Sequence, residues 1–175
     1  MDPTMFKAAE ESDFADSRSS HASHSPMKTR PMQVLLVEDS EGDIELVRQG
    51  FMESRCATEL HVVRDGLEAL AFLKQEETYG TASRPDLVLL DVNLPRRSGH
   101  EILASIRKHA DLCLMPVVMF TTSSHERDIH QAYENGASAY VQKPLQADAF
   151  IAAILGIAEF WLATAVLPTK AHPVR

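Results

Sequence analysis

Short apolar runs recur along this chain, and the interval after each leaves room for one helix. Val34-Leu35-Leu36-Val37 runs into Glu38 and Asp39, Leu87–Leu90 runs into Asp91, and Val117-Val118-Met119-Phe120 runs into Thr121. Four apolar residues closed by polar ones are too short for a helix and read as strands buried on both faces. Two weaker runs, 59–63 and Ala139–Gln142, bring the strands to five. Between them lie helix signals. Ser40 opens a helix with Asp43 at its third position and Ile44, Val47 and Phe51 at helical spacing. Asp65-Gly66 turns the chain into a second helix carrying Leu67, Leu70, Ala71 and Leu73, which ends before Tyr79-Gly80. Ser98-x-x-Glu101 and Ser123-x-x-Glu126 read as capping boxes. The helix opened by the first runs to about His109, and that opened by the second ends at Asn135-Gly136. A last helix covers about 146–165.

Strands alternating with helices demand right-handed crossovers and a parallel sheet. The expected fold is therefore α/β: a doubly wound, five-stranded parallel sheet with helices on both faces. Residues 32–165 form this domain. Residues 1–31, polar and rich in Ser and His, are expected to be a disordered tail in which His21 and His24 are solvated. Residues 166–175 form a C-terminal tail.

Composition narrows the function. The net charge of -8, from 17 Lys+Arg against 25 Asp+Glu, opposes sequence-independent binding to nucleic acid or to an anionic membrane surface. Cys56 and Cys113 are the two cysteines, too few for a disulfide framework or a four-cysteine zinc site. No apolar run approaches the ~18 residues of a membrane span. The N-terminus lacks the apolar segment of a signal peptide. A cytoplasmic protein is expected.

In a parallel sheet the strand C-termini share one edge, and ligands bind there. Glu38, Asp39 and Asp91 all stand at such ends. Two carboxylates about 4 Å apart repel by roughly 4 kcal/mol at an effective dielectric near 20. The group therefore calls for a cation or a proton, and oxygen donors with open positions suit Mg²⁺. Thr121 ends the fourth strand and Lys143 the fifth. A nucleophilic carboxylate at Asp91, a hydroxyl, an ammonium and a divalent cation are the parts that handle a phosphoryl group.

The blocks VLLVEDS, PDLVLLDVNLPRRSG, PVVMFTTS and AYVQKP resemble those of bacterial response-regulator receiver domains, over about residues 33–160. The resemblance implies a flavodoxin-like strand order, 2-1-3-4-5. It implies that Asp91 is the phosphoacceptor for a sensor histidine kinase. Glu38 and Asp39, with Asp91 and the backbone carbonyl of Asn93, would bind Mg²⁺. Thr121 would be the switch hydroxyl, Lys143 the phosphate-binding lysine and Tyr140 the switch aromatic. A cis Lys143–Pro144 bond is also implied. Thr122 stands where the family often has a smaller residue, and Leu94 where Met is common.

The last helix, AFIAAILGIAEFWLATAVL, is apolar nearly all round with Glu159 its only charge. Its surplus face predicts an interface. The ending EFWLATAVLP resembles stand-alone receivers that serve bacterial phytochrome kinases. That implies a phytochrome as the kinase and a homodimer through the fourth helix, fifth strand, fifth helix and C-terminal tail. Ile129, Tyr133, Tyr140, Ala158, Trp161 and Leu162 are candidate contacts. Two other readings compete. An aspartate-nucleophile phosphatase would carry a second Asp where Asn93 stands. A flavin binder would need a Ser/Thr/Gly-rich loop where Glu38-Asp39 stand. No Walker loop occurs. A phosphoacceptor that signals, rather than an enzyme with turnover, is the expectation.

Overall fold

The computed structural model describes residues 30–168. Most of the expected N-terminal tail, with His21 and His24, lies outside the described residues, as do residues 169–175. Five strands, β1 (Met32–Val37), β2 (Thr58–Val63), β3 (Leu87–Leu90), β4 (Val117–Thr121) and β5 (Ala139–Gln142), alternate with five helices. These are α1 (Glu41–Glu53), α2 (Gly66–Leu73), α3 (Gly99–Lys108), α4 (Glu126–Glu134) and α5 (Ala147–Ala158). All neighbouring strands are parallel, in the order β2-β1-β3-β4-β5. The expected doubly wound sheet is thus the observed one.

Strand position follows burial. The apolar strands β1, β3 and β4 occupy the centre with every residue buried, while β2 and β5 form the edges. Alternate side chains point to opposite faces of a strand, which splits the interior in two. Leu35, Val37, Val88, Leu90, Val117 and Met119 pack with Phe72, Ile102, Ile106 and Ala132, under α2, α3 and α4. Val34, Leu36, Leu87, Leu89, Val118 and Phe120 pack with Ile44, Val47, Phe150 and Ile154, under α1 and α5. The two helices on this second face approach closely at Gly50, where a Cβ would stand 2.6 Å from Ile154 Cγ2.

Three expectations are corrected. Helix α4 starts at Glu126 behind His125, without a side-chain cap, so Ser123 and Glu126 form no capping box. Ser123 is drawn inward, where its hydroxyl donates to Asp128. The Lys143–Pro144 bond is trans, the form favoured by about 0.5–1 kcal/mol even before proline, and no cis peptide bond occurs among the described residues. Finally, Ala147–Thr164 spans 18 residues at mean hydropathy 1.6, so by length and composition one segment is long and apolar enough to cross a membrane. Asp148, Gly156 and Glu159 interrupt its apolar run, and its mean stays high despite them. In the fold it packs on α1 and the sheet through Phe150, Ile154, Ile157 and Leu162. Beyond α5 the chain continues as a π-helical segment, Glu159–Thr164.

Candidate functional site

The sheet register assembles the site. Val37 of β1 lies opposite Leu90 of β3, so the next residues, Glu38 and Asp91, emerge side by side at the C-terminal edge. Their backbones remain tied to the sheet: Asp91 N–H donates to Val37 O at 3.1 Å and Glu38 N–H to Val63 O at 3.0 Å. Thr121 of β4 lies opposite Gln142 of β5, and Lys143 N–H donates to Thr121 O at 2.8 Å. The turn after β3 is tight. Gly99 opens α3 against it, and a Cβ there would collide with the Asp91 carbonyl oxygen.

Lys143 joins the carboxylates. Its Nζ donates to Glu38 Oε2 at 2.5 Å, to Asp43 Oδ2 at 2.8 Å and to Asp91 Oδ2 at 2.9 Å, which uses all three ammonium hydrogens. The lysine, Glu38 and Asp91 are buried, and Asp43 is half-buried. Burial alone would lower the lysine, but Asp91, Asp43 and Glu38 override it and hold the ammonium charged beyond its usual range. Burial pushes the Glu38 carboxyl up, opposed by Lys143 and by the Ser40 N–H that Glu38 accepts at 3.0 Å.

Three carboxylates on one ammonium leave two net negative charges at a largely buried site. An excess of that size, on hard oxygen donors, fits a divalent cation of the Mg²⁺ class. Among the described residues, no three Asp, Glu, His or Cys side chains are gathered as an ion-holding group. Glu38 and Asp91 are engaged by Lys143, while Asp39 is exposed, as its place next to buried Glu38 on an extended chain dictates. Asn93 is exposed, and its N–H donates to Asp91 Oδ1 at 3.2 Å.

The remaining two predicted site residues meet at a third. Thr121, fully buried, accepts the Ser123 N–H on Oγ1 at 3.3 Å. Tyr140, partly buried, donates its hydroxyl to Ser123 O at 3.0 Å. Ser123 Oγ in turn donates to Asp128 Oδ2 of α4 at 2.5 Å. Thr121 is tied to the lysine cluster through its backbone oxygen, which accepts the Lys143 N–H, and the side-chain bonds of both residues run to Ser123 instead. Two site residues escape the sequence reading. Asp43 looks like a first-turn helix acid, and Ser123 like a cap. The available signal for Asp43 was its place one helical turn past Glu38-Asp39, which puts it at the same sheet edge.

Known proteins share this fold. Residues 34–155 match the family described as "Response regulator receiver domain". Response regulator Rcp1 of Synechocystis sp. is 43% identical over 138 residues, covering 79% of this chain and 94% of that protein. A probable methanogenesis regulatory protein of Methanothrix harundinacea, FilR2, is 36% identical over 132 residues, covering 75% and 84%. Among solved structures, the phosphorylated cyanobacterial phytochrome response regulator RcpA superposes with a TM-score of 0.78 at 42% identity, covering 80% of this chain and all of that one. The Mn²⁺-bound form of Rcp1 gives 0.77 at 42% identity, covering 79% and 100%. With its sheet order, its strand-end acids and these relatives in agreement, the chain belongs to the response regulator receiver domain family, and is related to the phytochrome response regulators.

Proposed function

We propose that Asp91 accepts a phosphoryl group from a sensor histidine kinase and that the chain signals by protein association. The observation that carries this is the Lys143 ammonium bonded to Asp91, Glu38 and Asp43 together. It places a fixed positive charge beside the carboxylate that would gain a dianionic group. An Asp91 oxygen attacks the phosphorus of the kinase phosphohistidine, the P–N bond breaks and an acyl phosphate forms. Glu38, Asp39, Asp91 and the Asn93 carbonyl would hold Mg²⁺, which when bound offsets charge on the phosphoryl oxygens. Lys143 gives up its bond to Asp91 and donates to a phosphoryl oxygen. Thr121 turns its hydroxyl from the Ser123 N–H to another. Losing that contact loosens Ser123, which also holds Tyr140 and α4. New charge at Asp91 is thereby read at the α4 face.

Supporting a phytochrome kinase as the donor is the likeness to phytochrome response regulators. A homodimer through α4, β5, α5 and the C-terminal tail is part of the same proposal. Its candidate contacts divide by burial: Ala158 and Leu162 are buried against the sheet and Trp161 is half-buried, so they drop out of the centre of the surface. Tyr133, already among the candidates, stays exposed, and Phe160 and Val166 join it; Tyr133 and Phe160 are each 53% exposed. Incubation with acetyl phosphate and Mg²⁺ tests the core of the reading. Intact mass should rise by one phosphoryl group in the native chain and stay unchanged in Asp91→Asn. Full labelling of that variant would refute the assignment. Repeated turnover of a phosphate ester would favour the phosphatase reading.

A further inference from the structure

Asp43 is the member of the lysine cluster to which the phosphoacceptor chemistry gives no task. It is the third residue of α1, and its N–H donates to the hydroxyl of the N-cap Ser40 at 3.4 Å. An acid at that position ordinarily reaches back to the N-cap N–H and completes a capping box. Here Ser40 N–H is already donated to Glu38 Oε1 at 3.0 Å. The Asp43 carboxylate is thereby released from the helix end, and it reaches Lys143 instead, at 2.8 Å. Its side chain is 27% exposed, against 2% for Glu38 and 8% for Asp91, so it is the member of the cluster most open to solvent. Asp43 and Asp91 share one nitrogen. A phosphoryl group arriving on Asp91 therefore comes within a few hydrogen-bond lengths of a second, fixed negative charge. That separation lies inside the Debye length of about 10 Å at 0.1 M salt.

Resting on the reading of Asp91 as phosphoacceptor, we infer that Asp43 is a positioning residue with two opposed effects: its oxygen fixes Lys143 beside Asp91, and its charge raises the concentration of anionic phosphoryl donor needed to load Asp91. The effects separate chemically. Asparagine keeps an oxygen acceptor for the ammonium and loses the charge. Glutamate keeps the charge. Alanine loses both acceptor and charge.

The test follows acetyl phosphate loading of the full chain by intact mass, across donor concentrations, at low and high salt. At low salt Asp43→Asn should need roughly 3- to 10-fold less donor for half-maximal rate, with the limiting rate within about 2-fold of native. In about 1 M salt, where the Debye length falls to about 3 Å, the difference should largely close. Asp43→Glu should keep the native half-saturation and its salt dependence. Asp43→Ala should also need less donor but lose limiting rate, because the ammonium is no longer held from the α1 side. Equal half-saturation of the Asn variant and the native chain at low salt would overturn the inference, as would a difference that salt leaves intact. A native chain that takes no label would instead overturn the phosphoacceptor reading on which the inference rests.

Discussion

Lys143 and His100 are both buried bases near the end of β3, with side chains 2% and 8% exposed, yet the fold treats them oppositely. Lys143 meets three carboxylates within hydrogen-bond distance. His100 meets none: both ring nitrogens lack a hydrogen-bond partner, and Asp128 Oδ1 stands 3.9 Å from Nε2. Burial lowers the histidine, with Asp128 only partly opposing it, whereas the carboxylates carry the lysine upward against the same burial. Desolvation thus acts alike on both, and the number of touching carboxylates decides the sign. Positive charge is held where phosphoryl chemistry is proposed, whereas burial in the α3–α4 seam pushes the imidazole towards its neutral form.

The sharpest way to break this contrast is Lys143→Met. It leaves Glu38 and Asp91 buried without a counter-charge, and should cost about 3–5 kcal/mol in urea unfolding at neutral pH. The loss should shrink in mild acid as Glu38, whose carboxyl burial pushes up, takes a proton. A cost near zero at neutral pH would show that the acids, not the lysine, adapt to burial. Gly99→Ala tests the backbone between the two bases. Its Cβ would strike the Asp91 carbonyl oxygen, and we expect a loss of about 1–3 kcal/mol, as for overpacking elsewhere. An unchanged midpoint would mean that the turn after β3 yields freely.

His100 supplies a smaller effect with a definite sign. Its folded value lies below 6.5, so the unfolded chain takes the proton first as pH falls. Stability should therefore be insensitive to this residue above that pH and decline below it, by at most about 1.4 kcal/mol per pH unit, until the lowered folded value is reached. His100→Leu should flatten this part of the profile; an identical slope in the variant would move the acid sensitivity elsewhere. Smallest is Ser123→Ala, about 1 kcal/mol for the hydrogen bond to Asp128. Freed from Ser123, Asp128 should engage His100 and raise its titration midpoint, which NMR of the imidazole would follow. A midpoint that stayed in place would show that Asp128 does not answer to Ser123.

Much of this was readable in the sequence because it depends on local pattern. The runs Val34–Val37 and Leu87–Leu90 give β1 and β3, and once they pair in parallel, Glu38 and Asp91 must be neighbours. Ser98 and Glu101 form the capping box that their spacing announces. What was hidden depends on partners far along the chain. Asp43 meets a lysine 100 residues away, and it does so because Glu38 has taken the N–H that Asp43 would have used. Ser123 and Glu126 have the same spacing as Ser98 and Glu101, but Ser123 turns to Asp128. The difference between Glu38 and Asp39 lies in which side of an extended strand end each faces, and two adjacent acids look alike until the sheet is assembled.

The π-helical segment Glu159–Thr164 has a consequence for how this C-terminus tolerates change. Its backbone closes through Ala165 N–H to Phe160 O at 2.7 Å, five residues apart, so each turn holds about one residue more than an α-helical turn. The wider turn keeps Leu162 buried four residues after Ala158, and leaves Phe160 outside, edge-on to Trp161 with ring centroids 5.1 Å apart. Chain length here is therefore a coordinate in its own right. With the wide turn kept, losing a single residue from this stretch would rotate everything beyond it by roughly 80°, the angular step of one residue where a turn holds one residue more than the α-helical 3.6. A shortened chain could keep every apolar residue type and still present a different surface.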